Sequence, residues 1–359
     1  MIGRYEHPTI ADLWSPTSIL DRWVLVETEV LRARGIDEST LADLITHRPT
    51  PLQVETRERS TNHEFVAFLK EWRFNLSEAD VIRPAALHAG LTSSDVIDTA
   101  QALALCASHG LVMFLLYRLL DTTDLRGTEE TAQIGRTHGQ YAEPYPIWHP
   151  WAVLTGMLYR QSHRLEQAED GLLLAKLSGP VGRPNSDAVL IENKVFQKLG
   201  LRSCDSTQIV PRDGLAHWVG CIAELATICE AVATRVRLWS QSGVDEYWEA
   251  TRPDQVGSSA MPHKQHNPIL SENICGLARM VRTQAAALQL GVVQWWDRDL
   301  AHSSVERVML PDLCHLICTI LVRTRTLVDG LELNEGAVAA NLQKAEARKE
   351  AVLDERMDK

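Results

Sequence analysis

The sequence predicts an all-α protein, built on a long helix bundle whose chemistry sits at the helix ends. Three observations predict it. Apolar residues recur at helical spacing through most of the 359 residues, alternating strand patterns are scarce, and the long periodic stretches are broken by short polar loops. A chain of this length can bury a large core and leads us to expect two or three domains. Its 45% hydrophobic and 23% charged residues are those of an ordinary soluble protein. Lys+Arg 36 against Asp+Glu 47 leaves a formal charge of -11, which argues against a protein that coats nucleic acid or an anionic membrane. A small anionic ligand in a local basic pocket stays compatible with it.

Ser15-Pro16 is an N-cap followed by proline at the first helical position. Ile19, Trp23, Val26 and Val30 then repeat at four, three and four residues, and Gly35 closes the helix. A short helix is predicted around Leu41 to Ile45, and the polar stretch His47 to Ser60, with Pro49 and Pro51, reads as a linker. Thr61 caps the next helix in this reading, with Glu64 three residues on as its capping-box partner. After Pro84, a turn with Gly90 and three hydroxyls (Thr92, Ser93, Ser94) leads into a long helix. Its first N–H groups suit a carboxylate or phosphate, and capping by Ser93 or Ser94 fits the residues equally well.

Thr122 to Gln133 reads as turn-like, and Gly135 to Gln140 interrupts the helical pattern with two glycines around His138. Long helices are predicted over Trp148–Leu174, from Ala216 past Val236, over Pro268–Leu290, and from His302 to about Leu331. Leu177 to Gly182, Ser206 to Gln208 and Trp295 to Asp299 are the loops between them, and a charged tail runs from Ala345 to Lys359. Seven cysteines show no metal-like spacing; Cys314 and Cys318, four apart in an apolar run, are expected to face a helical core. The N-terminus lacks the apolar core of a signal peptide, and the apolar window Leu103–Leu120 holds His109 and Arg118, so a cytoplasmic protein without a membrane span is expected.

The longest loop without a regular element is Gly257-Ser258-Ser259-Ala260-Met261-Pro262-His263-Lys264-Gln265-His266-Asn267-Pro268. Hydroxyls, an ammonium group and imidazoles crowd it, a set suited to proton transfer beside an anionic substrate. This loop resembles the mobile Gly-Ser-Ser-x-Met-Pro-x-Lys-x-Asn-Pro loop of the fumarase/aspartase superfamily. Thr92 to Asp98 and Gly135 to Pro144 resemble its other two blocks, in the same order. Arg4-Tyr5, Thr61 to Glu64, Thr207-Gln208 and Arg298 to Arg307 are most similar to the adenylosuccinate lyase family. The likeness runs from residue 1 to about 335.

The resemblance implies a fumarase/aspartase-like fold: an N-terminal helical domain over 1–92, a central helix bundle over 93–335, and at 336–359 a short tail or remnant of a C-terminal domain. It implies a cytoplasmic homotetramer whose active sites are shared between subunits. It implies β-elimination of fumarate from adenylosuccinate, giving AMP, and from the succinylated imidazole carboxamide ribotide. Such a cleavage needs a base for a weakly acidic carbon proton, an acid for the leaving nitrogen, and donors at a carboxylate that gains charge. By resemblance Ser258 is the base, His138 the acid with Glu272 of another subunit orienting its ring, and His63 assists. Lys264 and Asn267 stabilise the dianion. Arg4, Tyr5, Ser303 and Arg307 match positions that hold the phosphate; His88 and Arg298 match positions near it. Thr92, Ser93 and Gln208 match positions that hold the succinyl moiety. No cofactor is implied: the elimination needs none, and the sequence has neither a metal-ligand cluster nor a dinucleotide fingerprint.

Three departures stand out. Two residues, Gln265 and His266, separate Lys264 from Asn267 where the family has one. Asn62-His63-Glu64 stands where the family has Arg-His-Asp, so a cation is lost and the carboxylate is longer. The chain also stops about where the family's C-terminal helical domain begins. Two other functions remain in view. One is a lyase of the superfamily acting on another substituted succinate, such as argininosuccinate; Arg4-Tyr5 and Arg307 favour a phosphorylated substrate over it. The other is a non-catalytic descendant that keeps the bundle for assembly, against which Ser258, His138 and Lys264 argue by their presence.

Overall fold

A computed structural model describes residues 1–79, 86–125, 131–250 and 266–357. Helix dominates it, as the periodicity predicts. A 3₁₀ turn (Gly3–Tyr5) and α1 (Pro8–Leu13) precede α2 (Pro16–Ala33), α3 (Glu38–Thr46), α4 (Pro51–Thr61), α5 (Glu64–Glu78) and α6 (Ser93–Leu125). A hairpin follows, β1 (Ala132–Thr137) with β2 (Gln140–Pro146), then α7 (Trp148–Leu172), β3 (Leu174–Ala175), α8 (Ser186–Leu199), β4 (Arg202–Ser203) and α9 (Asp213–Trp239). The last elements are β5 (Tyr247–Glu249), α10 (Ile269–Gln289), α11 (Ala301–Asp329), β6 (Leu331–Leu333) and α12 (Glu335–Met357). Among the described residues the strands form two-stranded sheets, β1–β2 and β5–β6 antiparallel and β3–β4 parallel.

The chain divides into two compact units. The first contains Met1–Leu111, Glu166–Gly220 and Ala285–His315; the second contains Val112–Leu165, Cys221–Gln284 and Leu316–Lys359. In the first, Trp23, Phe65 and Phe68 meet edge-on or tilted at 5.2 to 5.5 Å, the geometry that ring quadrupoles favour. Leu20, Val26, Val30 and Leu41 join this buried cluster. In the second, Trp239 packs on Tyr247 at 4.6 Å and on Trp151 at 5.7 Å. Cys314 and Cys318 are fully buried, as their spacing predicts. By length and apolar composition α6 and α9 resemble membrane spans, yet about half of each apolar window is buried inside the protein (50% and 56%), which suits core helices.

Ser15 caps α2 as expected: its side chain accepts from the Ser18 N–H at 3.1 Å. The expected linker over 47–60 is instead largely α4. Thr50 and Gln53 form a reciprocal capping box and Pro51 occupies the first turn, so a polar segment with few apolar residues still starts as a helix. Thr61 therefore ends α4 and does not cap α5. The cap of α5 is His63, whose Nδ1 accepts from the Val66 N–H at 3.4 Å. Neither Ser93 nor Ser94 precedes α6; both lie inside its first turn, and the Asp95 carboxylate takes the Thr92 N–H at 2.8 Å. The charged residues from Ala345 onward continue α12.

Helices α7 and α9 touch through two glycines. A Cβ added at Gly171 would lie 2.6 Å from the Cα of Gly214, so backbone meets backbone there. Gly171→Ala is expected to cost about 1–3 kcal/mol, the usual range for overpacking. Urea unfolding of the variant checks this; an unchanged midpoint would mean the helices separate freely.

Candidate active site

A cavity of about 160 Å³ opens within the first unit. Among its lining residues are Glu64 at the start of α5, and Arg298, Ser303 and Arg307 around the start of α11. Ser303 and Arg307 are four residues apart on a helix, which puts both on one face. Pro311, inside α11, also lines the cavity; lacking an N–H, it leaves the Arg307 carbonyl without its helical donor. Asp299 serves the start of α11: its carboxylate accepts from the Ala301 N–H at 2.9 Å.

Charge is arranged in two pairings. Arg212 forks onto two carboxylates, Glu306 at 2.7 Å from Nε and Asp98 at 3.1 Å from Nη2. Gln101 donates to Glu306 at 3.0 Å, and the Val210 N–H donates to Asp98 at 2.8 Å. All three charged residues of this cluster are buried. Burial alone would raise the Asp98 carboxyl, but the charge and hydrogen bonds of Arg212 outweigh it and hold the group below its usual range. Arg307 pairs with Glu64 at 3.0 Å. Here burial prevails and pushes the Glu64 carboxyl upward, with Arg307 opposing.

The remaining residues of the first unit lie as follows. His63 uses Nδ1 to cap α5, so in the neutral form the ring proton sits on Nε2. Asn62 is the C-cap of α4 in the left-handed region (φ 50°), where asparagine is favoured over the family's arginine. His88, also left-handed (φ 60°), is tied to buried Glu27 through Nδ1 at 2.7 Å and through its backbone N–H at 3.0 Å. Gln208 accepts from Arg298 at 3.4 Å, and its N–H donates to the Asp297 carbonyl at 3.2 Å. Thr92 and Ser93 are half-buried at the head of α6; Arg4 is exposed and Tyr5 half-buried in the N-terminal 3₁₀ turn.

In the second unit, His138 stands at the tip of the β1–β2 hairpin. Thr137 pairs with Gln140, and His138 and Gly139 between them both have positive φ (54° and 73°), the two-residue turn that matches strand twist. Arg136 anchors the hairpin through two bonds, 2.7 and 3.0 Å, to the fully buried Glu246. His138 itself is exposed. The glycines around His138, read from sequence as a break between helices, serve this hairpin instead. Asn267 is half-buried and Glu272 exposed in the first turn of α10, whose leading N–H groups, Leu270 and Ser271, are taken by Glu249 at 2.9 and 2.8 Å. His266, one of the two residues between Lys264 and Asn267, is left-handed (φ 56°) and stacks on Trp248 at 4.4 Å. Ser258 and Lys264 lie outside the described residues.

Within the first unit, then, Glu64, Arg298, Ser303 and Arg307 come to one cavity, with Gln208 beside Arg298. Sequence reasoning missed Arg22 and Arg212 in the same wall. Arg22 gave a signal: it falls three residues after Ile19 and four before Val26, at the edge of an apolar stripe. Arg212 gave none.

A family profile described as lyase matches residues 46–283. An adenylosuccinate lyase of Aquifex aeolicus (strain VF5) is 34% identical over 358 residues, covering 96% of this chain and 80% of that protein. The chain belongs to the adenylosuccinate lyase family. An adenylosuccinate lyase of Synechocystis sp. (strain ATCC 27184 / PCC 6803 / Kazusa) is 37% identical over 339 residues, covering 92% of this chain and 78% of that protein. The fold of the family extends to more distant structures. The 3-carboxy-cis,cis-muconate lactonizing enzyme from Pseudomonas putida superposes with a TM-score of 0.84 at 23% identity, over 94% of this chain and 78% of the other.

Proposed function

We propose that the protein cleaves adenylosuccinate to AMP and fumarate, and the succinylated aminoimidazole carboxamide ribotide to its free amide, in purine nucleotide biosynthesis. The observation that carries this is the identity of 33–37% to adenylosuccinate lyases over at least 92% of the chain. The cavity with Arg298, Ser303 and Arg307 in its wall supports it, because guanidinium forks and a hydroxyl suit a phosphomonoester.

In this reading Ser258, activated by its surroundings, removes the proton from the succinyl carbon next to the carboxylate. The electron pair moves onto that carboxylate, where Lys264 and Asn267 offset the added charge. The C–N bond then breaks, and His138 donates a proton to the leaving nitrogen, oriented by Glu272 of another subunit. His63 assists beside it. Thr92, Ser93 and Gln208 hold the succinyl moiety; Arg4, Tyr5, Ser303 and Arg307 hold the phosphate, with His88 and Arg298 near it. A site composed this way requires self-association, and a cytoplasmic homotetramer follows from the reading.

The test is turnover. Purified protein is expected to convert adenylosuccinate with a change in purine absorbance, and Ser258→Ala to lose at least about a thousandfold in kcat. Turnover of argininosuccinate alone would move the assignment to another substituted succinate. Binding of AMP without turnover would leave a non-catalytic descendant. A protein that sediments as a monomer while fully active would remove the shared site.

A further inference from the structure

The wall of the first unit's cavity contains more positive charge than its own carboxylates match. Four arginines line it (Arg22, Arg212, Arg298, Arg307) against three carboxylates (Glu64, Asp98, Glu306). Arg212 takes Asp98 and Glu306, and Arg307 takes Glu64. Two guanidinium groups are left over. Arg298 has the Gln208 amide oxygen at 3.4 Å, and its buried Nε has no hydrogen-bond partner among the described residues. Arg22, on α2, makes neither a hydrogen bond nor an ion pair with the described residues. Its sequence neighbour Asp21 is paired with Arg48 at 2.8 Å.

An unpaired cation drawn partly out of water is costly unless something of opposite charge meets it. Burial pushes the Arg22 guanidinium down to about 10, with Asp21 only partly opposing. Trp14, Ile19 and Trp23 share the wall with it, and such apolar neighbours keep water away and strengthen any charge interaction there.

We propose that Arg22 is a further substrate-binding residue that joins Arg298, Ser303 and Arg307 around the phosphomonoester of the nucleotide in this cavity. The naming of the nucleotide rests on the adenylosuccinate lyase reading; the anion site does not. Three features select a phosphomonoester. Arg22 and Arg298 are two guanidinium groups without a carboxylate partner among the described residues, and the wall as a whole keeps a surplus of one positive charge, which suits an anion with several acceptor oxygens. The Ser303 hydroxyl lines the same space and supplies a further donor. The volume, about 160 Å³, is below the roughly 300 Å³ at which pockets for whole drug-sized ligands begin, so it takes one end of a substrate.

The experiment compares wild type, Arg22→Gln and Arg22→Lys, each full-length and checked for an unchanged melting temperature. Binding of inorganic phosphate, AMP and adenosine is measured by calorimetry. Arg22→Gln is expected to weaken phosphate and AMP at least about tenfold and to leave adenosine unchanged, as loss of one charge-assisted contact to the anion requires. Arg22→Lys is expected to recover only part, since an ammonium group lacks the fork. With substrate, the loss in kcat/KM is expected to be carried by KM. Phosphate and AMP affinities within about twofold of wild type in Arg22→Gln, or an equal loss for adenosine, would assign Arg22 to packing and overturn the proposal. So would a wild-type protein that binds no phosphate. Arg22-dependent phosphate binding in a protein that does not cleave adenylosuccinate would retain the anion site and reject only the assigned reaction. Turnover indifferent to Arg22 would do the reverse.

Discussion

Replacing His138 with asparagine is expected to yield a folded protein that binds AMP but cleaves adenylosuccinate at least about a hundredfold more slowly, the lower end of what a positioned acid contributes. Asparagine is chosen for a physical reason. His138 has φ 54° in a two-residue turn, and asparagine tolerates that region where alanine adds strain of about 1–2 kcal/mol. The hairpin's own anchors are elsewhere, in Arg136 bonded to buried Glu246 and in Asn341, which donates to the same carboxylate at 2.9 Å. The turn therefore survives, and the loss reports on chemistry. Single-turnover rates and AMP titration measure the two halves of the claim. A wild-type rate in His138→Asn would remove His138 from the mechanism, and a parallel loss of AMP binding would make it a binding residue.

Arg212→Met is expected to lower unfolding free energy by about 3–5 kcal/mol, because it leaves two buried carboxylates without their counter-charge. Adding Asp98→Asn and Glu306→Gln to the same chain is expected to recover part of that loss, since the stranded charges go with them. The pH dependence has a definite sign. In the wild type Asp98 is held below its unfolded value, so its contribution is complete above the ordinary carboxyl range, about pH 4, and is lost as pH falls further. In Arg212→Met, only the Val210 N–H and the Lys176 charge still oppose burial at Asp98, and its folded value is expected to rise above the unfolded one. That contribution then falls as pH increases through about 4 and beyond. Urea unfolding between acid and neutral pH reads the difference. Identical pH profiles for the two proteins would show that the cluster does not govern acid stability.

Much of this protein is legible within a turn or two of chain. Ser15-Pro16 starts α2, the apolar set Ile222, Leu225, Cys229, Val232 and Val236 is fully buried along α9, and the Gly-Ser-Ser and Thr-His-Gly blocks point to the family. Helix caps and apolar stripes act over three or four residues, so the sequence states them directly. Thr50 and Gln53 were equally local, but a polar composition and two prolines outweighed them in the reading of α4.

Tertiary structure decided what depends on distant partners. The hairpin that presents His138 is held by Arg136 and Glu246, 110 residues apart. Arg212 meets Asp98 and Glu306 across 114 and 94 residues. The sequence by itself determined most of the long helices, the family and the residue types able to do the chemistry. Whether an arginine is spent on a carboxylate of its own protein, as Arg212 is, or left for a ligand, as Arg22 is, was decided only by packing. A charge takes its role from the charges that folding brings within a few ångströms, and nothing in the local chain encodes that neighbourhood.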